Sequence, residues 1–324
     1  MSRSTHTPRT EGRPDKPVHL SPPPIIENAA PLTMAEPLAM ARAYIALTKP
    51  NIIWLLLITT VPAMVVAAEG WPGGELVGAT LFGGMLAAGG ANAINQYADR
   101  DIDRLMRRTS ERPLVRGTVP SRHAIVLGSV LSAISIAWLI FTVNLIAAGL
   151  TAGAIAFYVG AYTYYLKRTT TQNIVLGGAA GAAPPLIGWA AVTGSIEVEA
   201  ALLFLVVFYW TPPHFWALSL LLHEDYARAG VPMLPVIQGA LVTKRQIVMY
   251  TLLLLPLTLI FGVVAELSWI YFTTAVGGGA GFLWLARALL IGTGIEQARV
   301  LFRFSILYLA LLFASMAADE LLLG

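Results

Sequence analysis

The chain has 324 residues, of which 56% are hydrophobic and 12% are charged. The charged share is about half of the roughly 25% in a soluble domain, and the mean hydropathy is +0.69. This composition excludes a soluble enzyme, a disordered protein and a coiled coil, and it predicts a polytopic membrane protein. The absence of cysteine excludes thiol catalysis, cysteine-ligated metals and disulfides.

The first segment of the chain, residues 1–44, is polar, contains three consecutive prolines and has no apolar period. It is predicted to be a disordered cytoplasmic tail, and residues 45–324 are predicted to form one intramembrane domain. The tail carries acidic residues, which mitochondrial transit peptides avoid. We therefore expect the bacterial inner membrane as the location, with the mitochondrial inner membrane as the alternative.

Nine apolar segments follow, each close to the roughly 20 residues that one helical crossing requires. They are too long and too uniformly apolar for the strands of a membrane barrel. The predicted fold class is therefore all-α, a polytopic membrane bundle of nine transmembrane helices. Their approximate cores are residues 51–68, 75–96, 123–141, 145–165, 173–192, 199–222, 246–265, 268–290 and 300–317.

Basic residues lie on one side of these segments. The loops near 69–74, 142–144, 193–199 and 265–268 contain no Lys or Arg, whereas seven arginines lie between Arg100 and Arg122. By the positive-inside rule, the basic side faces the cytoplasm, or the matrix in a mitochondrion. Nine crossings then place the N-terminus inside, with an active-site cavity that opens to the cytoplasmic side.

The first long basic loop carries three oxygen-bearing side chains at a regular spacing. Asn95, Asp99 and Asp103 recur every four residues, so on a continuing helix they share one face and drift by only about 40° per step. Mg²⁺ takes one or two carboxylates and completes its shell with waters and substrate phosphates. The pattern predicts a metal site at the membrane boundary.

Arginines follow these carboxylates directly and can pair with phosphate oxygens. They are Arg107, Arg108 and Arg112. A metal site beside guanidinium groups favours a diphosphate site. The alternative is a solvated, ion-paired loop that only sets topology, which explains the arginines but not three aspartates within five residues.

The second cluster ends the sixth crossing, where Pro212 and Pro213 precede His214. The prolines are expected to distort the helix and to free carbonyl groups. His214 lies about 13 Å inside the cytoplasmic boundary at helical rise, and an intramembrane ionisable residue is a functional candidate. The alternative is a histidine that hydrogen-bonds to a freed carbonyl. His223, nine residues further on, would lie on the opposite helix face, so only one of the two is expected in the cavity.

Two weaker patterns remain. Tyr158, Tyr162 and Tyr165 recur at helical spacing, and an aromatic belt at the membrane interface explains them more readily than a substrate wall. Pro184 and Pro185 are expected to mark another broken helix beside the cavity.

At these residues the sequence resembles a known family. Asn95-x3-Asp99-x3-Asp103 is similar to the first acidic motif of the UbiA-type intramembrane prenyltransferases. The run from Asn92 to Leu114, together with residues 210–216 and 225–235, resembles the heme-modifying branch of that family, and the resemblance covers about residues 40–320. Two positions depart from the general family pattern: Gln96 replaces a frequent Asp, and Glu224-Asp225 replaces a second Asp-x3-Asp.

The resemblance implies transfer of the farnesyl group of farnesyl diphosphate to the 2-vinyl group of heme B, with addition of water, to make heme O for oxidase assembly. It implies Mg²⁺ on Asn95, Asp99 and Asp103, and a His214 that positions heme through its iron or handles the proton of the water. The expected residues for diphosphate or heme binding are Asn92, Arg107, Arg108, Arg112, Glu224, Asp225 and Tyr226.

The expected partners are farnesyl diphosphate, heme B, the lipid bilayer and a downstream heme-modifying enzyme or oxidase, without nucleic acid. One alternative is a UbiA-type enzyme that prenylates an aromatic acid or a quinone precursor. A second is a heme or lipid transporter, or a membrane assembly factor, since transporters also use broken helices and intramembrane polar groups.

Overall fold

The computed structural model describes residues 37–292 and 294–324, and within helix α2 it leaves the side chains of residues 51–57 undescribed. The described part is helical and contains no strand. Its elements are α1 (Pro37–Leu47), α2 (Pro50–Ala67), α3 (Gly74–Ala98), α4 (Arg100–Leu105), α5 (Ser121–Thr142), α6 (Leu145–Ala156), a π-helical segment (Phe157–Leu166), α7 (Lys167–Thr169), α8 (Asn173–Thr193), α9 (Val198–Leu221), α10 (His223–Arg228), α11 (Leu234–Val264), α12 (Trp269–Ile291) and α13 (Glu296–Leu323).

Eight helices of the described part are long and apolar enough to cross a membrane, and the chain is an integral membrane protein. The elements α6, the π-helical segment and α7 together form one of these spans, Leu145–Thr169. The first predicted crossing falls on α2, of which the apolar part with described side chains is Ile58–Ala67. The all-helical class is thus confirmed, while nine crossings and their orientation stay predictions.

Helix α1 begins inside the stretch that we predicted to be a disordered tail. Residues 37–44 belong to this helix, and the rest of the predicted tail lies outside the described residues. Polar contacts fix α1 onto the bundle. The amide of Gln96 donates hydrogen bonds to the carbonyls of Ala46 (3.0 Å) and Leu47 (2.9 Å), and the hydroxyl of Tyr44 lies 2.6 Å from Nδ1 of His123.

Small residues allow helices α3 and α5 to pack closely. A Cβ atom on Gly90 would lie 2.7 Å from the carbonyl oxygen of Gly128, and one on Gly83 would lie 2.5 Å from the Leu139 side chain. Close backbone approach of this kind is typical of helices packed in lipid, where apolar burial alone gives no driving force.

Neither proline pair ends its helix, contrary to the broken helix that we predict at Pro184 and Pro185. Helix α8 continues through Pro184 and Pro185, and α9 continues through Pro212 and Pro213. A proline in a membrane helix is tolerated where neighbouring helices surround the freed carbonyls, and Pro185, Pro212 and Pro213 are buried. A break does occur in α11, at Gly239, whose φ of 82° and ψ of 168° are not helical.

The bundle has a filled half and a hollow half. Large buried side chains fill the space between α9, α11, α12 and α13, among them Trp216, Phe261, Tyr271, Phe282 and Tyr308. Helices α3 and α8 instead present mostly glycine and alanine to the space that they share with α2, α6 and α9. That space remains open as a cavity.

Candidate active site

An apolar cavity of about 320 Å³ lies within the hollow half. Its volume is at the lower end of the roughly 300–1,000 Å³ that ligand pockets occupy. Much of the wall is made of small residues because a larger side chain on either helix would fill the space. Those from α3 and α8 are Gly84, Ala87, Ala88, Ala91, Gly177, Gly178, Ala180, Gly181 and Ala183.

The three predicted metal ligands lie together at the junction of α3 and α4. The backbone N–H of Asp99 donates to the Asn95 carbonyl at 2.9 Å, and that of Asp103 donates to the Asp99 carbonyl at 2.8 Å. The helical repeat therefore continues through Asp99. Nδ2 of Asn95 donates to Oδ2 of Asp99 at 2.8 Å, and all three residues are buried.

Three cationic side chains converge on these residues from separate parts of the chain. Nζ of Lys167 donates to Oδ2 of Asp99, and Nη1 of Arg112 donates to Oδ2 of Asp103, each at 2.5 Å. Nζ of Lys49 donates to Oδ1 of Asn95 at 2.8 Å. The cluster therefore combines buried carboxylates with cationic side chains, which could form charge-assisted hydrogen bonds to an anionic ligand.

Lys49 is held in an uncommon backbone conformation, with φ of 51° and ψ of 61°. Nδ2 of Asn92 donates to the carbonyl of the preceding residue, Thr48, at 3.1 Å. Burial, and then the charges of Arg112 and Lys167, lower the pKa of Lys49 to about 7. An anion bound beside it would favour its protonated form.

Sequence reasoning missed Lys49 and Lys167 as members of this site. The sequence analysis gives neither lysine a role in binding. A lysine near the end of an apolar segment is typical of any cytoplasmic loop, so neither position carries a distinguishing local signal.

The donor set fits Mg²⁺. Oδ1 of Asp99 is buried and has no hydrogen-bond partner in the described part of the chain, although the Arg168 guanidinium lies 3.8 Å away. No group of three or more His, Asp or Glu side chains suited to a metal occurs in that part. Two carboxylates and one amide are therefore the available ligands, and a substrate phosphate would have to complete the shell, as is usual for Mg²⁺.

Of the predicted residues in the second loop, two lie in the site and one lies on the surface. In α10, Asp225 and Tyr226 are buried, whereas Glu224 is exposed. Oδ2 of Asp225 accepts a hydrogen bond of 3.4 Å from the backbone N–H of Arg108. Burial raises the pKa of Tyr226, and its phenol hydrogen-bonds to the Arg108 side chain. Asp225 and Tyr226 thus join the first loop, and Glu224 does not. Arg107 is exposed on that loop.

Two tyrosines form an aromatic wall beside the cluster. The rings of Tyr158 and Tyr162 stack with centroids 5.6 Å apart, and both residues line the cavity. The hydroxyl of Tyr158 donates to Oδ1 of Asn92 at 3.4 Å. The interface-belt interpretation is wrong for these two residues and fits only Tyr165, which is 64% exposed. The π-helical turn changes which side of the helix each of these residues faces. Such turns are frequent at functional sites.

His214 lies on the cavity-facing stripe of α9, which includes Val207, Trp210 and Thr211. Its Nδ1 lies 2.7 Å from Oγ of Ser305 on α13. The partner is therefore a hydroxyl group rather than the freed carbonyl that we had considered. His223 is exposed beyond the end of α9, so of the two histidines only His214 reaches the cavity.

These features define an integral membrane helical protein whose apolar cavity lies beside a buried cluster of carboxylates and cations. The sequence profile of the UbiA prenyltransferase family matches residues 56–314. The chain belongs to this family.

Curated relatives share nearly half of the sequence. The chain is 47% identical over 305 residues to the protoheme IX farnesyltransferase of Roseiflexus sp. (strain RS-1), covering 94% of this chain and 57% of that protein. It is 50% identical over 303 residues to protoheme IX farnesyltransferase 1 of Saccharopolyspora erythraea, covering 92% and 96%. The chain thus spans little more than half of the Roseiflexus protein and almost all of the Saccharopolyspora protein.

Solved structures share the fold at low sequence identity. A digeranylgeranylglyceryl phosphate synthase superposes with a TM-score of 0.73 at 16% identity, covering 87% of this chain and 99% of that one. A UbiA homologue from Archaeoglobus fulgidus, bound to GPP and Mg²⁺, superposes with a TM-score of 0.60 at 17% identity, covering 85% and 99%.

Proposed function

We propose that the chain transfers the farnesyl group of farnesyl diphosphate to the 2-vinyl group of heme B, with addition of water, to give heme O. The observation that carries this proposal is the cluster of cations and carboxylates next to an apolar cavity. That arrangement matches a substrate with an anionic head and a hydrocarbon tail. The relatives named protoheme IX farnesyltransferase support heme as the acceptor.

The diphosphate would bind at the polar end of the site. Lys49, Lys167 and Arg112, which now pair with Asn95, Asp99 and Asp103, can exchange those oxygens for phosphate oxygens. Charge-assisted hydrogen bonds of this kind are about twice as strong as neutral ones. The farnesyl chain would extend along the small residues of α3 and α8, where it is removed from water.

Asp99 and Asp103, with Asn95, would hold a Mg²⁺ ion, which when bound would neutralise the negative charge that develops on the departing diphosphate. Oδ1 of Asp99, which accepts no hydrogen bond from the described residues, and the A. fulgidus homologue with GPP and Mg²⁺ support this assignment. The three cationic side chains of this chain would also stabilise the departing diphosphate, because each can stay paired with its oxygens as their negative charge grows.

The remaining chemistry requires a dry, aromatic environment. Cleavage of the C–O bond releases diphosphate and leaves an allylic cation, which the ring faces of Tyr158 and Tyr162 can stabilise. The vinyl group attacks the first carbon of the farnesyl cation and forms the new C–C bond. Water then adds to the cation beside the porphyrin and loses a proton. His214 would position the heme or accept that proton.

We further propose the membrane placement that the charges predict. Nine crossings with the arginine-rich loops inside would place the polar end of the cavity at the cytoplasmic face of a bacterial inner membrane. Farnesyl diphosphate would then enter from the cytoplasmic leaflet. The product would pass to a heme-modifying enzyme or an oxidase in the same bilayer.

The test uses the full chain in nanodiscs with heme B, farnesyl diphosphate and Mg²⁺, and mass spectrometry as the readout. A heme species heavier by one farnesyl group and one hydroxyl group is the expected result. Farnesyl transfer to an aromatic acid or quinone precursor, without heme product, would keep the diphosphate site and reject heme as the acceptor. Failure with every acceptor in folded protein would reject the transferase and favour a transporter or assembly factor.

A further inference from the structure

The imidazole ring of His214 is held in one orientation by its neighbours on α9 and α13. It stacks between the rings of Trp210 and Phe302, with centroid distances of 4.3 Å and 4.7 Å. Nε1 of Trp210 donates to the Ser305 carbonyl at 2.8 Å. Ser305 therefore contacts both the stacked Trp210 ring and the imidazole. The ring cannot turn about its long axis without losing both stacks.

The hydrogen bonds of Ser305 assign the histidine tautomer. Its hydroxyl has one proton, and Oγ lies 2.7 Å from the Phe302 carbonyl and 2.7 Å from Nδ1 of His214. The carbonyl can only accept, so the hydroxyl donates to it. Oγ must then accept from Nδ1, which places the histidine proton on Nδ1. Both contacts are satisfied together in this arrangement alone.

The other ring nitrogen is left with a lone pair. In the part of the chain that the structure describes, Nε2 makes no hydrogen bond and is not sealed off as a buried atom, and His214 lines the cavity. A neutral imidazole whose Nδ1–H is donated to a fixed acceptor is the usual form of a metal-binding histidine. The acceptor substrate proposed above carries an iron atom.

We infer that Ser305 is a positioning residue that presents Nε2 of His214 to the cavity as an axial ligand for the iron of the acceptor heme. The inference rests on the proposed function for the identity of the ligand. Ligation at one fixed nitrogen would fix the height and tilt of the porphyrin. A vinyl group could then meet the first carbon of the farnesyl chain in the same cavity.

The test titrates heme B into the full chain in nanodiscs and records absorption and resonance Raman spectra of the ferrous form. We expect an iron–histidine stretching band in the wild type, its loss in His214→Ala, and a ligated spectrum again after imidazole is added. Loss of the hydrogen-bond acceptor behind a metal-binding histidine costs about 10–100-fold in affinity. Ser305→Ala should therefore weaken heme binding by at least about tenfold and shift the same band.

A matched control lies on the same helix. Ser315 also donates from its hydroxyl to the carbonyl three residues earlier, Leu312, at 2.9 Å, and it is not among the residues that line the cavity. Ser315→Ala should keep the wild-type affinity and spectrum. An unchanged band in His214→Ala would overturn the inference, and so would a Ser305→Ala variant that behaves like Ser315→Ala. A proton-accepting role for His214 would give the first of these results together with lost turnover.

Failure of this inference and failure of the proposed function can be told apart. Heme O formation by protein without an iron–histidine band would reject only the ligation. A band that depends on His214, in protein that farnesylates no heme, would instead keep the binding site and reject the transferase activity.

Discussion

The ammonium group of Lys49 donates a 2.8 Å hydrogen bond to Oδ1 of Asn95, although 46 residues separate the two in the chain. This bond joins the junction of α1 and α2 to the end of α3, where the predicted metal ligands begin. Around it, Asn92 and Gln96 bind the carbonyls of Thr48, Ala46 and Leu47. The junction of α1 and α2 is thereby part of the candidate diphosphate site.

Replacing Lys49 by methionine should weaken use of farnesyl diphosphate. A hydrogen bond to a charged group is worth about 1.5–3 kcal/mol, so kcat/KM for this substrate should fall by roughly 10–100-fold. Arg42→Met is the control, because Arg42 is exposed on α1. Steady-state kinetics at saturating heme would measure the change. Equal kinetics in the two variants would remove Lys49 from the site.

The two buried aspartates should be needed for turnover but not for heme binding. Asp99→Asn and Asp103→Asn each keep the side-chain shape and remove a negative charge that pairs with the cluster of cations. We expect a loss of about 100-fold or more in kcat, the size seen when one electrostatic group at a transition state is removed. Heme titration of the same variants should give the wild-type affinity.

A third aspartate on the same turn is a matched control for this series. Asp101 is 62% exposed and forms an ion pair with Arg168 at 2.8 Å, and its pKa is lowered to about 2 by that hydrogen bond. Asp101→Asn should therefore retain activity, because exposed ion pairs contribute little. If Asp99→Asn were as active as Asp101→Asn, the metal assignment would be wrong.

Removal of divalent metal should abolish farnesyl transfer and weaken binding of the diphosphate. In wild-type protein treated with EDTA, calorimetry should find lower affinity for a non-reactive farnesyl diphosphate analogue, and Mg²⁺ should restore it. The Asp99→Asn variant should lose most of this Mg²⁺-dependent gain. If the affinity of the wild type for the analogue did not depend on Mg²⁺, the cationic side chains of the chain would be sufficient to bind the diphosphate.

The small residues of α3 should set how long a prenyl chain can enter. A Cβ on Gly84 meets no atom within 4 Å, and this residue lines the cavity, so a leucine there would occupy cavity space. In Gly84→Leu the preference for farnesyl over geranyl diphosphate should fall by about tenfold, as pocket contacts of this size allow. Competition between the two donors, read by mass spectrometry, measures this ratio.

The control for that experiment is a glycine of the same helix on another face. Gly78 also has open space around its Cβ position, but it is exposed and does not line the cavity. Gly78→Leu should leave the preference unchanged. A similar change in both variants would mean that general disturbance of α3, rather than cavity length, governs the donor.

What the sequence predicts well is local. The four-residue spacing of Asn95, Asp99 and Asp103 gives a shared face because the helical repeat continues through Asp99. The apolar segments predict the membrane-spanning helices because one helical crossing requires about 20 apolar residues. His214 is found because an ionisable residue inside an apolar segment has few structural reasons to be there.

What the sequence does not predict depends on distant contacts. Lys49 and Lys167 reach Asn95 and Asp99 only after α2, α3 and the π-helical span are packed. Tyr165 does not share the cavity-facing side of Tyr158 and Tyr162, because the π-helical turn alters the spacing on which the belt interpretation relied. The proline pair of α8 was expected to break its helix, yet α8 is continuous, with Pro185 buried.

The π-helical segment, Phe157–Leu166, also limits how the chain can vary in length. It is followed at once by Lys167, whose ammonium group reaches Asp99. Loss or gain of one residue in the α-helical part before it, Leu145–Ala156, would rotate everything beyond by about 100° and would carry Lys167 off the carboxylate. We therefore expect the number of residues between Asn144, which caps α6, and Lys167 to be fixed. Insertions and deletions in homologous chains should therefore avoid this span and accumulate in the connections at either end of the bundle.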